Sequence, residues 1–203
     1  MMNFTIKHQD TYSRGELLLR SFFGAFYLIA PHLFLLVFLS IASIFIGFIA
    51  FWVILFTGKY PKEMYDFQVK FIRWNLRVNA RILNLSDGYP AFGLNAKDEN
   101  VTFEMEYPKS LSRGNLLLKT FLGIFYIIIP HLFVLSFRII GVYFVIIIAW
   151  WAVLFTGKYP KGMFDFMVGT LRWELRFNLY IHNMTDTYPP FTGRVLENEN
   201  QPV

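Results

Sequence analysis

Two long stretches of this chain are almost free of charge. From Ser21 to Phe56 there is no Asp, Glu, Lys or Arg, and from Thr120 to Phe155 the only charged side chain is Arg138. Uncharged runs beyond about 18 residues read as candidate membrane spans. Each run ends at a break, Thr57-Gly58 and Thr156-Gly157. Glycine there suits the left-handed backbone that closes helices. Tyr60-Pro61 and Tyr159-Pro160 then open another element, since proline fits a first helical turn where its missing N–H does no harm. The segment that follows is two-faced when wound as a helix. Lys62, Asp66, Lys70, Arg73, Arg77 and Arg81 fall on one stripe, and Phe67, Phe71, Trp74, Val78 and Ile82 fall opposite. Lys161, Asp165, Arg172 and Arg176 oppose Phe166, Trp173, Phe177 and Ile181 in the same way. A cationic face backed by an apolar one predicts a helix lying in the membrane interface. It is expected to end near Asp87-Gly88 and Asp186-Thr187.

The pattern occurs twice because the chain does. Ser13–Phe92 overlays Ser112–Phe191 at an offset of 99 residues, with 45 of 80 positions identical. A repeat of this kind sets the fold unit before any other reading. The division is an N-terminal segment (1–12), a first membrane repeat (13–92), a linker with a short strand (93–111), a second repeat (112–191) and a polar tail (192–203) whose last residues are expected to fray. Residues 101–107 alternate apolar and polar, as a half-buried strand does, and residues 4–7 are their weaker counterpart, so the two are expected to pair.

Each apolar run would make a straight helix of about 54 Å against a hydrocarbon core of about 30 Å. Basic residues flank both sides of each run, Arg14 and Arg20 against Lys59 and Lys62, then Arg113 and Lys119 against Lys158 and Lys161. Basic flanks favour the cytoplasm. Two flanks on one side predict a transmembrane helical hairpin per repeat: an all-α membrane protein of four spans with parallel repeats and both termini cytoplasmic. Arg138 then lies near a hairpin tip and snorkels to the far interface. The tips carry no Gly or Pro. Pro31 and Pro130 are the only prolines in the runs. Either they kink the first span or the chain turns beside them.

Composition agrees with a membrane class: 55% hydrophobic, 20% aromatic, 16% charged. The net charge of +5 sits beside the apolar runs, which points to anionic lipid headgroups rather than nucleic acid. No cysteine is present, so disulfides and thiolate metal sites are excluded. No hydrolase, metalloprotease or phosphate-loop motif occurs, and the protein is expected not to be an enzyme.

The candidate chemistry is sparse. His32 and His131 follow Pro31 and Pro130 at equal depth in the two copies. Ionisable groups inside a membrane are functional candidates. Two such imidazoles facing across a twofold axis would suit a haem iron or another metal. The simpler reading has each His donating to the carbonyl that the proline frees. No cofactor and no metal is expected on that reading. Lys62, Arg73, Arg77, Lys161, Arg172 and Arg176 are candidate headgroup or anion contacts. Asp66 with Arg73 and Asp165 with Arg172 are candidate ion pairs at the repeat interface.

The Phe-Thr-Gly-Lys-Tyr-Pro run, the following Asp-Phe, Arg-Trp and Arg, and Tyr-Pro-Pro-Phe191 resemble a bacterial membrane family, domain of unknown function 4389. The resemblance covers about Arg14–Phe92 and Arg113–Phe191. The first copy departs from the pattern at Glu63, Lys70 and Ala91. The resemblance implies a bacterial inner-membrane protein and supplies no activity. Two function classes are carried forward. One is an accessory or scaffold subunit, or lipid-interacting module, with lipids and a protein partner or a second copy as partners. The other is a small transporter or channel with a site between the repeats.

Overall fold

The computed structural model describes residues 2–196 and 199. Its elements are β1 (Met2–Ile6), α1 (Arg14–Thr57), α2 (Lys62–Ile82), β2 (Val101–Met105), α3 (Arg113–Thr156) and α4 (Lys161–Ile181). The tail residues expected to fray lie outside the described residues, apart from Glu199.

The predicted hairpins are not formed. Each apolar run lies within one unbroken helix of 44 residues, α1 or α3. Nothing at the expected tips can turn the chain, because Val37–Ser40 and Ser136–Ile139 hold neither glycine nor proline. The proline is absorbed instead. The backbone widens to a π-helix over Ala25–Ile29 and over Ile124–Ile128, then resumes as α-helix through Pro31 and Pro130. Proline leaves the carbonyl four residues earlier without its usual donor. Here the Tyr89 hydroxyl donates to the Tyr27 carbonyl at 3.0 Å, and Tyr188 to that of Tyr126 at 2.9 Å. A side chain from the segment after the next helix thus repairs the break, as bundles require of proline within apolar helices.

The ends behave as the residues direct. Ser13 and Ser112 cap α1 and α3 by accepting from the Glu16 and Asn115 amides. Gly58 and Gly157 close those helices with φ of 73° and 70°. α2 and α4 begin directly after Pro61 and Pro160 but stop about five residues before the expected Asp. Asn84 and Asn183 adopt positive φ there, and Leu85 and Met184 bond back to the Ala80 and Leu179 carbonyls. Asparagine tolerates that conformation better than other side chains.

The two copies are interlocked about a pseudo-twofold axis. β1 and β2 pair antiparallel with Phe4 opposite Phe103, residues exactly one repeat apart. The observed ladder joins Met2–Ile6 to Val101–Met105, and Lys7 extends it through a backbone bond to Asn100. β1, which leads the first copy, packs on α4 of the second, and β2 packs on α2 of the first. The long helices meet end to end. Arg14 donates to the Phe155 carbonyl at the close of α3, and Arg113 to that of Phe56 at the close of α1, both at 2.9 Å. Each Ser-Arg-Gly motif therefore caps its own helix with Ser and the other copy's helix with Arg. Leu17, Ala50, Ile54, Leu116, Ala149 and Val153 are buried in one core with the strands, α2 and α4. Trp74 with Leu28 and Leu36, and Phe177 with Ile127, form two satellite clusters, one per copy.

Candidate functional site

The arginine stripes are not solvated faces. Arg77 is fully buried and donates to the carbonyls of Ala96 and Gly93. Arg176, its counterpart, bonds the Thr192 and Arg194 carbonyls and forms a buried pair with Glu199 at 2.5 Å. Both guanidiniums clamp the segment that follows the Tyr-Pro motif. Arg73 and Arg172 hold the axial ribbon, donating to Phe103 O at 2.9 Å and Phe4 O at 3.2 Å. A guanidinium carries five donors in a rigid fork, so it can satisfy carbonyls of irregular segments that no ladder serves. These four candidate headgroup contacts are therefore structural, and only Lys62 and Lys161 are exposed. The expected Asp66–Arg73 and Asp165–Arg172 pairs do not form either. Asp66 and Asp165 pair with Lys62 and Lys161 one turn away, in geometry worth only tenths of a kcal/mol at an exposed helix surface.

His32 and His131 are fully buried but do not face each other. Each accepts at Nδ1 from a tryptophan of its own copy, Trp74 or Trp173, at 2.9 Å. Indole N–H is only a donor, so the neutral ring carries its proton on Nε2. Phe92 and Phe191 stack on the two rings with centroids 3.9 and 4.1 Å apart. The paired-histidine haem geometry is thus absent, because each ring is locked within its own aromatic stack. The reading in which His serves the proline-freed carbonyl is corrected too, since Tyr89 and Tyr188 hold that role. Among the described residues no group of three or more His, Cys, Asp or Glu is placed to hold a metal.

Arg138 does not reach outward. It folds onto α4, with Nε donating to Thr170 Oγ1 at 2.7 Å and Nη2 to Phe166 O at 3.1 Å. Its guanidinium lies 4.4 Å from the Phe166 ring centroid. Beside it an open cavity is lined by Asp165, Gly169, Arg172 and Arg194. The first copy has Leu39, Phe71 and Lys70 at the positions of Arg138, Thr170 and Gly169, so this feature belongs to the second copy alone.

A second cavity of about 330 Å³ lies between α2 and α4, where the copies face each other. Ile72, Leu76, Leu171 and Leu175 form apolar walls. Asn75, Asn79, Glu174, Asn178 and His182 supply the polar lining, with Ser43 and Gln68 bonded to each other at its edge. Burial raises the Glu174 pKa above the usual carboxylate range, and the positive charge of Arg138 opposes that only in part. None of these residues stood out in the sequence. Their signal was a polar repeat on one face of α2 (Gln68, Asn75, Asn79) that an apolar-face analysis passes over.

The outer face of the long helices is the largest feature of all. Aromatic and aliphatic side chains stand exposed from Leu18 to Phe56 and from Leu117 to Phe155, with Phe26 78% and Phe121 74% accessible. Only 11% of the most apolar window of either helix is buried. The helices are long and apolar enough to cross a membrane, which makes the chain compatible with a membrane protein.

A model of the family described as Domain of unknown function (DUF4389) matches residues 19–93 and, a second time, residues 118–193. No curated protein and no solved structure matches the chain.

Proposed function

Since the chain belongs to this family through both of its copies, and the family carries no assigned activity, we propose a role read from its surface: a non-enzymatic, lipid-seated scaffold of a bacterial inner membrane. The observation that carries it is the exposed apolar face of α1 and α3. A core helix of a soluble protein buries such a window, and here only 11% of it is buried. Exposed apolar patches beyond a few hundred Å² mark a partner or a membrane.

The seating follows from lengths. A helix of 44 residues is about 66 Å long at about 1.5 Å per residue. Its apolar stripe, Leu18–Phe56, runs about 58 Å, nearly twice the about 30 Å of hydrocarbon, so it does not stand as a span at the usual tilt of about 20°. The long helices therefore lie along one face of the bilayer with their Phe-rich side in lipid. α2, α4 and the ribbon cover the opposite face. Both ends of each long helix return to that polar layer, Arg20 to Asp87 and Gly58 to Leu111 in the first copy. The basic flanks Lys59, Lys62, Lys158 and Lys161 then share the cytoplasmic side with both termini, and contact anionic headgroups there. A protein partner or a second copy would assemble through the same membrane.

The cysteine-free background makes a direct test simple. Single cysteines at Lys59, Lys158 and Ser136 are labelled in intact and in opened cells. Lys59 and Lys158 should react only once the cytoplasmic side is reached, and Ser136 from neither side. Labelling of Ser136 from outside would restore the hairpin and overturn this seating. Release of the chain by alkaline carbonate would remove the membrane reading altogether.

The second reading, a small transporter or channel, is favoured by one observation, the cavity between the repeats.

A further inference from the structure

The polar lining of the cavity between α2 and α4 is rich in acceptors. Asn75, Asn79 and Asn178 each turn their amide nitrogen back onto a carbonyl of their own helix, at 3.1, 2.9 and 2.8 Å. A backbone carbonyl only accepts, so the nitrogen must be the group placed there, and Oδ1 is left pointing away. Among the described residues these three oxygens make no hydrogen bond. His182 donates from Nδ1 to the Asn178 carbonyl at 2.8 Å, which leaves Nε2 as an acceptor in the neutral ring. Ser43 and Gln68 satisfy each other. Glu174 is half-buried, and among the described residues its carboxylate has neither a hydrogen bond nor an ion pair. No Lys or Arg lines the cavity.

An occupant that brings donors and a positive charge matches these oxygens and the Glu174 carboxylate. The volume, about 330 Å³, is generous for a bare ion and in the range of small-molecule sites. The apolar walls call for alkyl surface. Asn75 and Glu174 are equivalent positions, 99 residues apart, so the two copies present one neutral and one charged group, matching a single monovalent charge. We propose that this cavity binds an alkylammonium group, with Glu174 as counter-ion, the amide oxygens of Asn75, Asn79 and Asn178 around its N–H donors, and Ile72, Leu76, Leu171 and Leu175 against its carbon atoms. Such a group has two sources, the amine headgroup of a lipid or a free organic amine. The site does not depend on the bilayer seating proposed above.

The test uses the purified full chain. Ethylammonium binding is titrated calorimetrically in detergent. Retention of phosphatidylethanolamine against phosphatidylglycerol is read by native mass spectrometry after transfer from mixed nanodiscs. Glu174→Gln should weaken amine binding at least tenfold while leaving phosphatidylglycerol retention unchanged. Asn79→Phe, which fills the cavity from an exposed position, should abolish amine binding with the carboxylate intact. Circular dichroism and Tm confirm that both variants fold, and Glu174→Gln alone decides the matter if Asn79→Phe does not. Loss confined to phosphatidylethanolamine identifies the headgroup as source, and loss confined to ethylammonium identifies a free amine. Absence of amine binding to the wild-type chain, or equal binding by wild type and Glu174→Gln, overturns the proposal.

Discussion

The two copies share a frame and differ in how they wire it. Both keep the serine cap, the cross-copy arginine, the Trp–His bond, the Tyr–carbonyl bond and the buried arginine that clamps the following loop. Around that frame the polar contacts have been replaced in sets. In the first copy Arg20 bonds Asp87 and the Ser86 carbonyl, and Arg81 pairs with Asp98 at 2.8 Å. In the second, Lys119 takes the place of Arg20 and bonds the Tyr180 and Thr185 carbonyls, and Tyr180 takes the place of Arg81. Tyr180 then bonds Asn115, which itself donates to Asp186. Leu39 packing in the Phe71 cluster becomes Arg138 bonded to Thr170. The contacts that hold the long helices through their prolines are duplicated, while those that seal each end differ in residue type, although Arg20, Arg81, Lys119 and Tyr180 each keep at least one partner.

The largest expected difference follows from the Arg81–Asp98 ion pair of the first copy, whose arginine is replaced by Tyr180 in the second. Arg81 and Asp98 are 4% and 5% exposed. Removing one member strands a buried charge, at a cost of about 3–5 kcal/mol. Asp98 also accepts from the Asn100 and Val101 amides that start β2. Asp98→Ala should therefore lower thermal stability in detergent by that amount. Adding Arg81→Tyr, which imitates the second copy, should recover part of the loss. If the double variant is no more stable than Asp98→Ala, the wiring is not interchangeable.

The next contrast runs the other way. In the second copy a Cβ on Gly193 would meet Gly169 O at 2.1 Å, a backbone contact that no rotamer relieves. The first copy has Leu94 and Lys70 there. Gly193→Ala should cost about 2–3 kcal/mol by overpacking, whereas Leu94→Ala, in a half-buried satellite cluster, should cost about 1 kcal/mol. Thermal unfolding of the two variants side by side checks the order. Where the frame is shared, the copies should respond alike. Trp74→Phe and Trp173→Phe each leave a buried imidazole nitrogen without its donor, a loss of about 1–2 kcal/mol. A large inequality between them would mean that the two histidines are not equivalent.

How much of this could be read from residues alone depended on the kind of signal. Gly58, Gly157 and the Tyr-Pro starts located the helix boundaries because their backbone geometry is local. The ribbon was legible from alternation in 101–107 and the repeat offset. The unbroken long helix was not read, because an apolar run reports burial or lipid but not a turn, and its length was weighed against a perpendicular span. The tips without Gly or Pro were the better guide. The arginine stripe misled for a different reason. Periodicity assigns side chains to a face, yet a guanidinium can face inward where loop carbonyls lack partners, as at Gly93, Ala96 and Thr192. The acceptor cavity was hidden because asparagines on a helix have no signature until their nitrogens are seen turned inward.

The smallest predicted effect separates the copies at one pair of equivalent positions, Asn75 and Glu174. Burial raises the Glu174 pKa in the folded chain, with Arg138 opposing. A carboxyl whose folded pKa is raised binds its proton more tightly folded than unfolded, so the protonated form favours folding and that contribution is lost as pH rises through the folded pKa. Glu174→Gln, which never ionises, should therefore raise Tm relative to wild type at pH 8, and the gain should shrink as pH falls through the carboxylate range. Asn75→Glu should do the reverse, lowering Tm at pH 8 by placing a second carboxylate opposite the first. An alkylammonium ligand at saturating concentration should narrow the wild-type deficit at pH 8, because it supplies the counter-charge that the second copy's carboxylate lacks. A gain from Glu174→Gln that is the same at every pH would show that the carboxyl titrates alike in the folded and unfolded chain, and the contrast in charge between the two positions would then not reach stability.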